Sequence, residues 1–231
     1  MTDHAKIYNE NAAEYDRLVA REDYQGNILT AIRQIKPLEG LDVVELGAGT
    51  GRLTCLLAPV VGKIAAYDIS GHMLEFAAAK LAECRVRNWM IGVADHRDLP
   101  VNDQAADLAI SGWSIVYTVV SNQKNWRREL GRALAEMKRV LRPGGSIILL
   151  ETLGTGHETP SPPDELADYL GFLEDESGFS STWIRTDYLF RSLEEVRELT
   201  DFFFGEGMVD KVISMDPVIL PECTGIWWLH L

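Results

Sequence analysis

The chain has 231 residues, 46% of them hydrophobic, enough for one α/β domain with a full core but not for a second large one. Its net charge of −13 argues against a nucleic-acid partner, because that binding draws on clustered Lys and Arg and the densest basic run is only Trp126-Arg127-Arg128. The first residues lack an apolar leader, and the longest apolar stretch, 108–120, is too short to span a bilayer, so no membrane anchor and a cytoplasmic location are expected.

Two helical segments open the chain. Ile7, Tyr15, Leu18 and Val19 mark the first; Ile28, Leu29, Ile32 and Ile35 mark the second, which Pro37 ends. Together, residues 1–37 are expected to form a helical cap. Short Val- or Ile-rich runs at 42–46, 63–68, 89–94, 106–111 and 146–151 predict strands. Helical stripes lie between them, at Leu53, Leu56, Leu57 and Val60, and from Trp126 through Leu130, Leu134 and Met137 to Leu141. Arg142-Pro143-Gly144-Gly145 stops the latter helix and turns into a strand. Such alternation implies a mostly parallel sheet covered on both faces.

After residue 151 the rhythm breaks. Residues 152–190 hold a Pro/Gly-rich stretch, an amphipathic acidic helix at 163–175 and an alternating segment at 182–190; they are expected to form an insertion or lid over the site. A capping box, Ser192-Leu193-Glu194-Glu195, opens another helix. Two last strands, at 209–216 and 223–230, have no helix between them and should pair antiparallel. The expected fold is a single α/β domain over 1–231, a doubly wound Rossmann-like sheet of seven strands with the last antiparallel and helices on both faces. Cys55, Cys84 and Cys223 match no metal spacing and read as small buried hydrophobes in a reducing compartment, so no metal is expected.

The most informative segment is 43–53, Val-Val-Glu-Leu-Gly-Ala-Gly-Thr-Gly-Arg-Leu, which runs from a strand into a helix. Glycine permits positive φ and close approach of a ligand to the backbone. A dinucleotide site would show G-x-G-x-x-G, whereas here the third glycine follows the second by two positions and Arg occupies position 52. Glu45 would also face a pyrophosphate unfavourably, while the same charge suits an ammonium.

Glu45-Leu46-Gly47-Ala48-Gly49-Thr50-Gly51, Asp68-Ile69-Ser70-Gly71-His72-Met73, Ala94-Asp95-His96-Arg97-Asp98-Leu99-Pro100 and Asp107-Leu108-Ala109-Ile110-Ser111-Gly112-Trp113 occur in that order. With the Leu141–Gly145 turn they resemble the motifs of class I S-adenosylmethionine (SAM)-dependent methyltransferases acting mostly on small molecules, over roughly 40–152. The resemblance implies a SAM cofactor, with S-adenosylhomocysteine (SAH) as product, held by the loop residues Glu45, Gly47, Ala48 and Gly49. It implies that Asp68 holds the ribose hydroxyls, that Met73 helps cover the adenine with Ile69 also among the cofactor residues, and that Asp95 and the His96 backbone N–H meet the adenine ring. Ser111 would flank the reacting sulfur, and Tyr15 resembles an N-terminal Tyr beside the sulfonium.

The acceptor is expected beyond the carboxyl ends of the strands, near Ser111–Tyr117 (with Trp113 and Tyr117 as candidates), Glu151–Thr155, the N-terminal helices and the insertion. His157 is a weak candidate for a general base, as is Tyr15 for a catalytic role; the catalytic residues are otherwise unassigned. Seven acids and no Lys or Arg lie between His157 and Ile184, which hints at a cationic acceptor, yet a Leu166/Leu170/Leu173 stripe turns most of them to water. Arg185 hints instead at an acceptor carboxylate. No motif for base-amine methylation is present. The partner is expected to be a small molecule, the protein a monomer or homodimer. The competing readings are an NAD-dependent oxidoreductase and a non-catalytic adaptor with the same fold.

Overall fold

A computed structural model of the chain describes residues 11–121 and 124–231; the helical signal at Ile7 lies outside them. The chain begins with α1 (Ala12–Val19) and α2 (Asn27–Ile35). Then come β1 (Asp42–Leu46), α3 (Arg52–Leu57), β2 (Lys63–Asp68), α4 (Gly71–Glu83), β3 (Trp89–Val93) and β4 (Ala106–Gly112). Helices α5 (Ile115–Val120) and α6 (Trp126–Val140) lead to β5 (Leu141–Thr155). A mixed helical segment follows from Asp164 to Glu176, with α7 (Ala167–Gly171) at its centre. The remainder is β6 (Ser180–Arg185), β7 (Tyr188–Phe190), α8 (Leu193–Phe204), β8 (Ser214–Met215), β9 (Val218–Leu220) and β10 (Glu222–His230).

The main sheet has seven strands in the order β3-β2-β1-β4-β5-β10-β6. The first five run parallel, and β10 inserts antiparallel between β5 and β6. Successive side chains point to opposite faces of a strand, and the core divides accordingly. Val44, Ala109, Ile147, Leu149 and Trp227 pack on one side with Leu130 and Met137 of α6. Val43, Leu108, Ile148, Leu150 and Ile226 pack on the other with Ile28 and Ile32 of α2 and Leu53 and Leu57 of α3. Both faces being covered explains why the strands read as continuous apolar runs. The Trp227-Trp228 pair obeys the same rule, one ring in each layer.

Two expectations are corrected. The predicted strand at 209–216 is a 3-10 turn, Met208–Lys211, followed by the two-residue β8. Its neighbour is β9 rather than the final strand, because β7, β9 and β8 form a separate three-stranded sheet. Val209 and Val212 pack instead on a small third core with Leu18, Tyr188, Phe190 and Leu199. The true partner of β10 on its outer side is β6, so Ser180–Arg185, set apart from the sequence as part of the insertion, is the edge strand of the main sheet. Its Ser180, Ser181 and Thr182 are exposed, as befits an edge.

The N-terminal helices part company: α2 lies on the main sheet, whereas α1 joins α8 in the third core. Ser192 caps α8 by accepting from Glu195 N at 3.2 Å, and the Glu195 carboxylate accepts from Arg191 N at 2.7 Å. Among the described residues no helix is long and apolar enough to cross a membrane.

Candidate active site

At the carboxyl end of β1 the chain turns through Gly47 (φ +71°) and Gly49 (φ +54°) before α3 starts. These left-handed conformations suit glycine and strain any side chain. The backbone N–H groups of Gly47 and Ala48 both donate to the Tyr67 carbonyl, at 2.7 and 3.0 Å, which ties the loop to β2. Gly47 is also required for space: a Cβ there would fall 1.7 Å from Ser114 Oγ and 3.1 Å from His96 Nε2. Gly47→Ala is expected to lower stability by about 2–4 kcal/mol, from overpacking and backbone strain together. Thermal denaturation checks this, and adding Ser114→Gly should recover part of the loss by removing the clashing atoms.

Asp68, the last residue of β2, holds the other side of the loop. One carboxylate oxygen accepts from Gly49 N at 2.8 Å and the other from Ser70 N at 2.8 Å. Ser70 in turn caps α4, accepting from Met73 N at 3.3 Å. Met73 is buried against Gly49, and Ile69 stands 70% exposed next to Asp68. A carboxylate, a backbone cradle with no Cβ and two apolar side chains therefore converge, a donor-and-acceptor set that fits a ribose with an adenine beside it.

Glu45 is buried and accepts from Thr54 Oγ1 at 2.6 Å; burial pushes its carboxyl up to about 7. Its charge is thus only partly present near neutrality. The glycine spacing and Asp68, rather than the charge at position 45, carry the distinction from a dinucleotide site. Asp95 is gripped by Arg97, whose Nε and Nη2 donate to its two oxygens at 2.8 and 2.6 Å while the Arg97 N–H adds a third bond at 2.8 Å. That guanidinium, which also reaches Glu129 at 2.7 Å, holds the Asp95 carboxyl down at about 2. The Oδ2 atom keeps an accepting position for an amino group. The imidazole of His96, not just its backbone N–H, faces the glycine loop and meets Ser114 Oγ at 3.2 Å; burial lowers its pKa.

On the acceptor side, the sequence and the structure differ at Ser111 and Arg185. Ser111 donates its hydroxyl to the Leu46 carbonyl at 2.9 Å, so it pins β4 to β1 rather than facing outward. Arg185 is forked onto Asp187 at 2.7 and 2.9 Å and is no free receptor for a carboxylate. His157 is exposed, and its carbonyl accepts from Cys223 Sγ. The acids from Glu158 to Glu176 are also exposed, as the Leu stripe implied. Trp113 and Tyr15, in contrast, do come together with the loop. Trp113 (φ +51°) lies under the Arg52 guanidinium, 3.7 Å from its ring centre. The hydroxyl end of Tyr15 lies near Tyr117, Arg52, Glu22 and Asp68, and desolvation there pushes the phenol up.

Sequence reasoning gives no role to Glu22, Arg52 and Glu222, and places Glu151 only at the border of the acceptor region. Arg52 pairs with Glu22 at 2.8 Å, and Glu222 accepts from Thr152 at 2.9 Å. Glu151, within the carboxyl-terminal half of β5, accepts from Tyr169 Oη at 2.9 Å and Val116 N at 3.2 Å. Burial pushes the carboxyls of Glu151 and Glu222 each up to about 8. Only Arg52 carried a signal, occupying a position where a dinucleotide loop would not place it. Two open clefts, of about 420 and 480 Å³, lie elsewhere: at the amino ends of β1–β4, and between α2, β6 and β10.

Residues 44–149 match a family described as a methyltransferase domain. The chain is 29% identical over 153 residues to a demethylmenaquinone methyltransferase of Lactococcus lactis, covering 64% of this chain and 57% of that protein. It is 32% identical over 151 residues to a malonyl-[acyl-carrier protein] O-methyltransferase of Hahella chejuensis, covering 62% and 47% respectively. The chain spans about half the length of the curated relatives it matches. Among solved structures, a SAM-dependent methyltransferase from Aquifex aeolicus shares the fold with a TM-score of 0.56, at 16% identity, over 87% of this chain and 88% of that one.

Proposed function

We propose that this chain is a class I SAM-dependent methyltransferase that transfers a methyl group from SAM to a small-molecule acceptor. The observation that carries the reading is Asp68: its carboxylate fixes Gly49 N and Ser70 N at 2.8 Å each, at the carboxyl end of β2, where ligands of doubly wound sheets bind. The residues that would hold the cofactor are the Gly47–Gly49 loop, Asp68 for the ribose hydroxyls, Ile69 and Met73 against the adenine, and Asp95 for its amino group. SAM supplies a methyl carbon on a sulfonium, which is already a good leaving group.

The protein's task is therefore mainly to position the acceptor and exclude water, and positioning supplies up to about 7–11 kcal/mol of barrier lowering in favourable cases. Trp113, under the Arg52 guanidinium, and Tyr15, whose hydroxyl end neighbours Arg52 and Asp68, would border the cofactor. A general base is needed only where the acceptor must lose a proton to react.

Thermal-shift titration with SAM, SAH and NAD tests the reading. Stabilisation by SAM and SAH is expected; a response to NAD without one to SAH would sink it in favour of an oxidoreductase.

A further inference from the structure

Beside the glycine loop, three separate parts of the chain bring charged side chains into one buried patch. Glu22 comes from the connection between α1 and α2, Arg52 from the start of α3, and Glu222 from the start of β10. Arg52 Nη1 lies 2.8 Å from Glu22 Oε2, and the Tyr188 hydroxyl also donates to Glu22. Glu222 Oε1 accepts from the Thr152 hydroxyl at 2.9 Å, and the charge of Glu22 is close enough to disfavour ionisation of Glu222. The carboxylates are withdrawn from water: the Glu22 side chain is 3% exposed and Glu222 2%.

Three atoms of the patch nevertheless have no hydrogen-bond partner: Glu22 Oε1, Glu222 Oε2 and Arg52 Nη2. Leaving a buried polar atom unpaired costs about 1–3 kcal/mol, more for a charged group, so three in one place call for an explanation. The patch borders the cofactor region, since Arg52 covers Trp113 and the hydroxyl end of Tyr15 neighbours Arg52, Glu22 and Asp68. The patch holds two carboxyls and one guanidinium, with a proton kept on Glu222 near neutrality, and the adjacent Asp187 is already matched by Arg185. Both unmet oxygens are acceptors. A ligand completing them must bring N–H or O–H donors, and a cationic donor is favoured because its charge would displace the proton that Glu222, pushed up to about 8 by burial, keeps near neutrality.

Resting on the methyltransferase reading, we propose that Glu22 and Glu222 are the specificity-determining residues for the acceptor, recognising an ammonium group on it. Arg52 holds Glu22 in place and offers Nη2 to an oxygen on the same ligand. The ammonium is the group recognised; the atom that is methylated is a separate matter.

Isothermal titration on the SAH-loaded protein tests this with butylamine, ethanolamine and benzylamine. Each is compared with its neutral counterpart (1-butanol, ethylene glycol, benzyl alcohol) and with butyrate, glycolate and benzoate. The amines are expected to bind at least tenfold tighter than the alcohols and the carboxylates. Glu22→Gln and Glu222→Gln should each weaken amine binding at least tenfold while SAH affinity stays within twofold. Alcohols or carboxylates binding as well as the amines would overturn the proposal, and so would Gln variants with unchanged amine affinity. If the variants fail to fold, the ranking of ligands on the unaltered protein decides. Normal SAH binding with no amine bound would mean that the two carboxyls satisfy each other through a shared proton, and only this inference would fall. Failure to bind SAH at all would remove the methyltransferase reading and this one with it.

Discussion

Replacing Asp68 with alanine is expected to weaken SAH binding at least tenfold, as measured by titration calorimetry. The variant loses the acceptor for Gly49 N and Ser70 N, both at 2.8 Å, so the loop and the start of α4 lose their common anchor. It also loses the oxygens available to a ribose diol. Hydrogen bonds to a charged group are worth about 1.5–3 kcal/mol each, and about 1.4 kcal/mol is already a tenfold change. Asp68→Asn separates the two contributions: an amide retains one acceptor but presents its NH₂ to one of two backbone donors. It should therefore fall between alanine and the parent. Near-parental affinity in Asp68→Ala would remove this residue from the site.

Stability is expected to fall as the pH rises from about 5 to about 8. Burial pushes Glu45 up to about 7, and Glu151 and Glu222 up to about 8, from an ordinary 4.5. Above pH 4.5 the unfolded chain releases these protons while the folded protein retains them. The folded state then binds more protons, and stability declines with pH until the folded groups titrate. The opposite sign holds for Asp95, which Arg97 depresses to about 2: its contribution is complete above its unfolded value and is lost as the pH falls toward 2. Maximum stability should therefore lie near pH 5, with a loss of several kcal/mol by pH 8 at about 1.4 kcal/mol per unit of pKa difference.

Urea denaturation at four pH values measures this curve. Glu151→Gln isolates one contributor, since the amide oxygen can still accept from Tyr169 and Val116 but has no proton to lose. The variant's decline between pH 5 and pH 8 should be shallower by about 2 kcal/mol or more. Parallel curves would show that Glu151 is not the group responsible.

The parallel strands were legible because burial on both faces leaves short apolar runs, as in Leu108–Ile110 and Ile147–Leu150. The glycine loop was legible because left-handed backbone at positions 47 and 49 leaves glycine little competition. The edge strand β6 was harder to place. Its Ser-Ser-Thr start is polar, and the alternating stretch that contains it divides at Thr186-Asp187, where the chain passes from the main sheet to the small one. The Glu22–Arg52–Glu222 patch had no joint signature: Arg52 stands out only within its own loop, and the two glutamates are ordinary within their segments. Only the fold makes partners of positions so far apart. Arg185 misled for a similar reason: the neighbour that claims it, Asp187, sits two residues away and reads equally well as a turn residue.

The position of β10 has a kinetic corollary. Strand β5 waits for its second neighbour until some 70 later residues have been made, and β6 has no place in the sheet without β10 between them. Pairing across such long sequence separations carries a large loop-closure entropy and is slow to form. In the interval the inner edge of β5 offers unpaired backbone groups to any other strand. Glu222 enters with that same strand, so the event that shields the sheet from misassociation also assembles the carboxyl pair. A chain able to recognise its acceptor is, by that construction, one whose aggregation-prone edge has already been sealed.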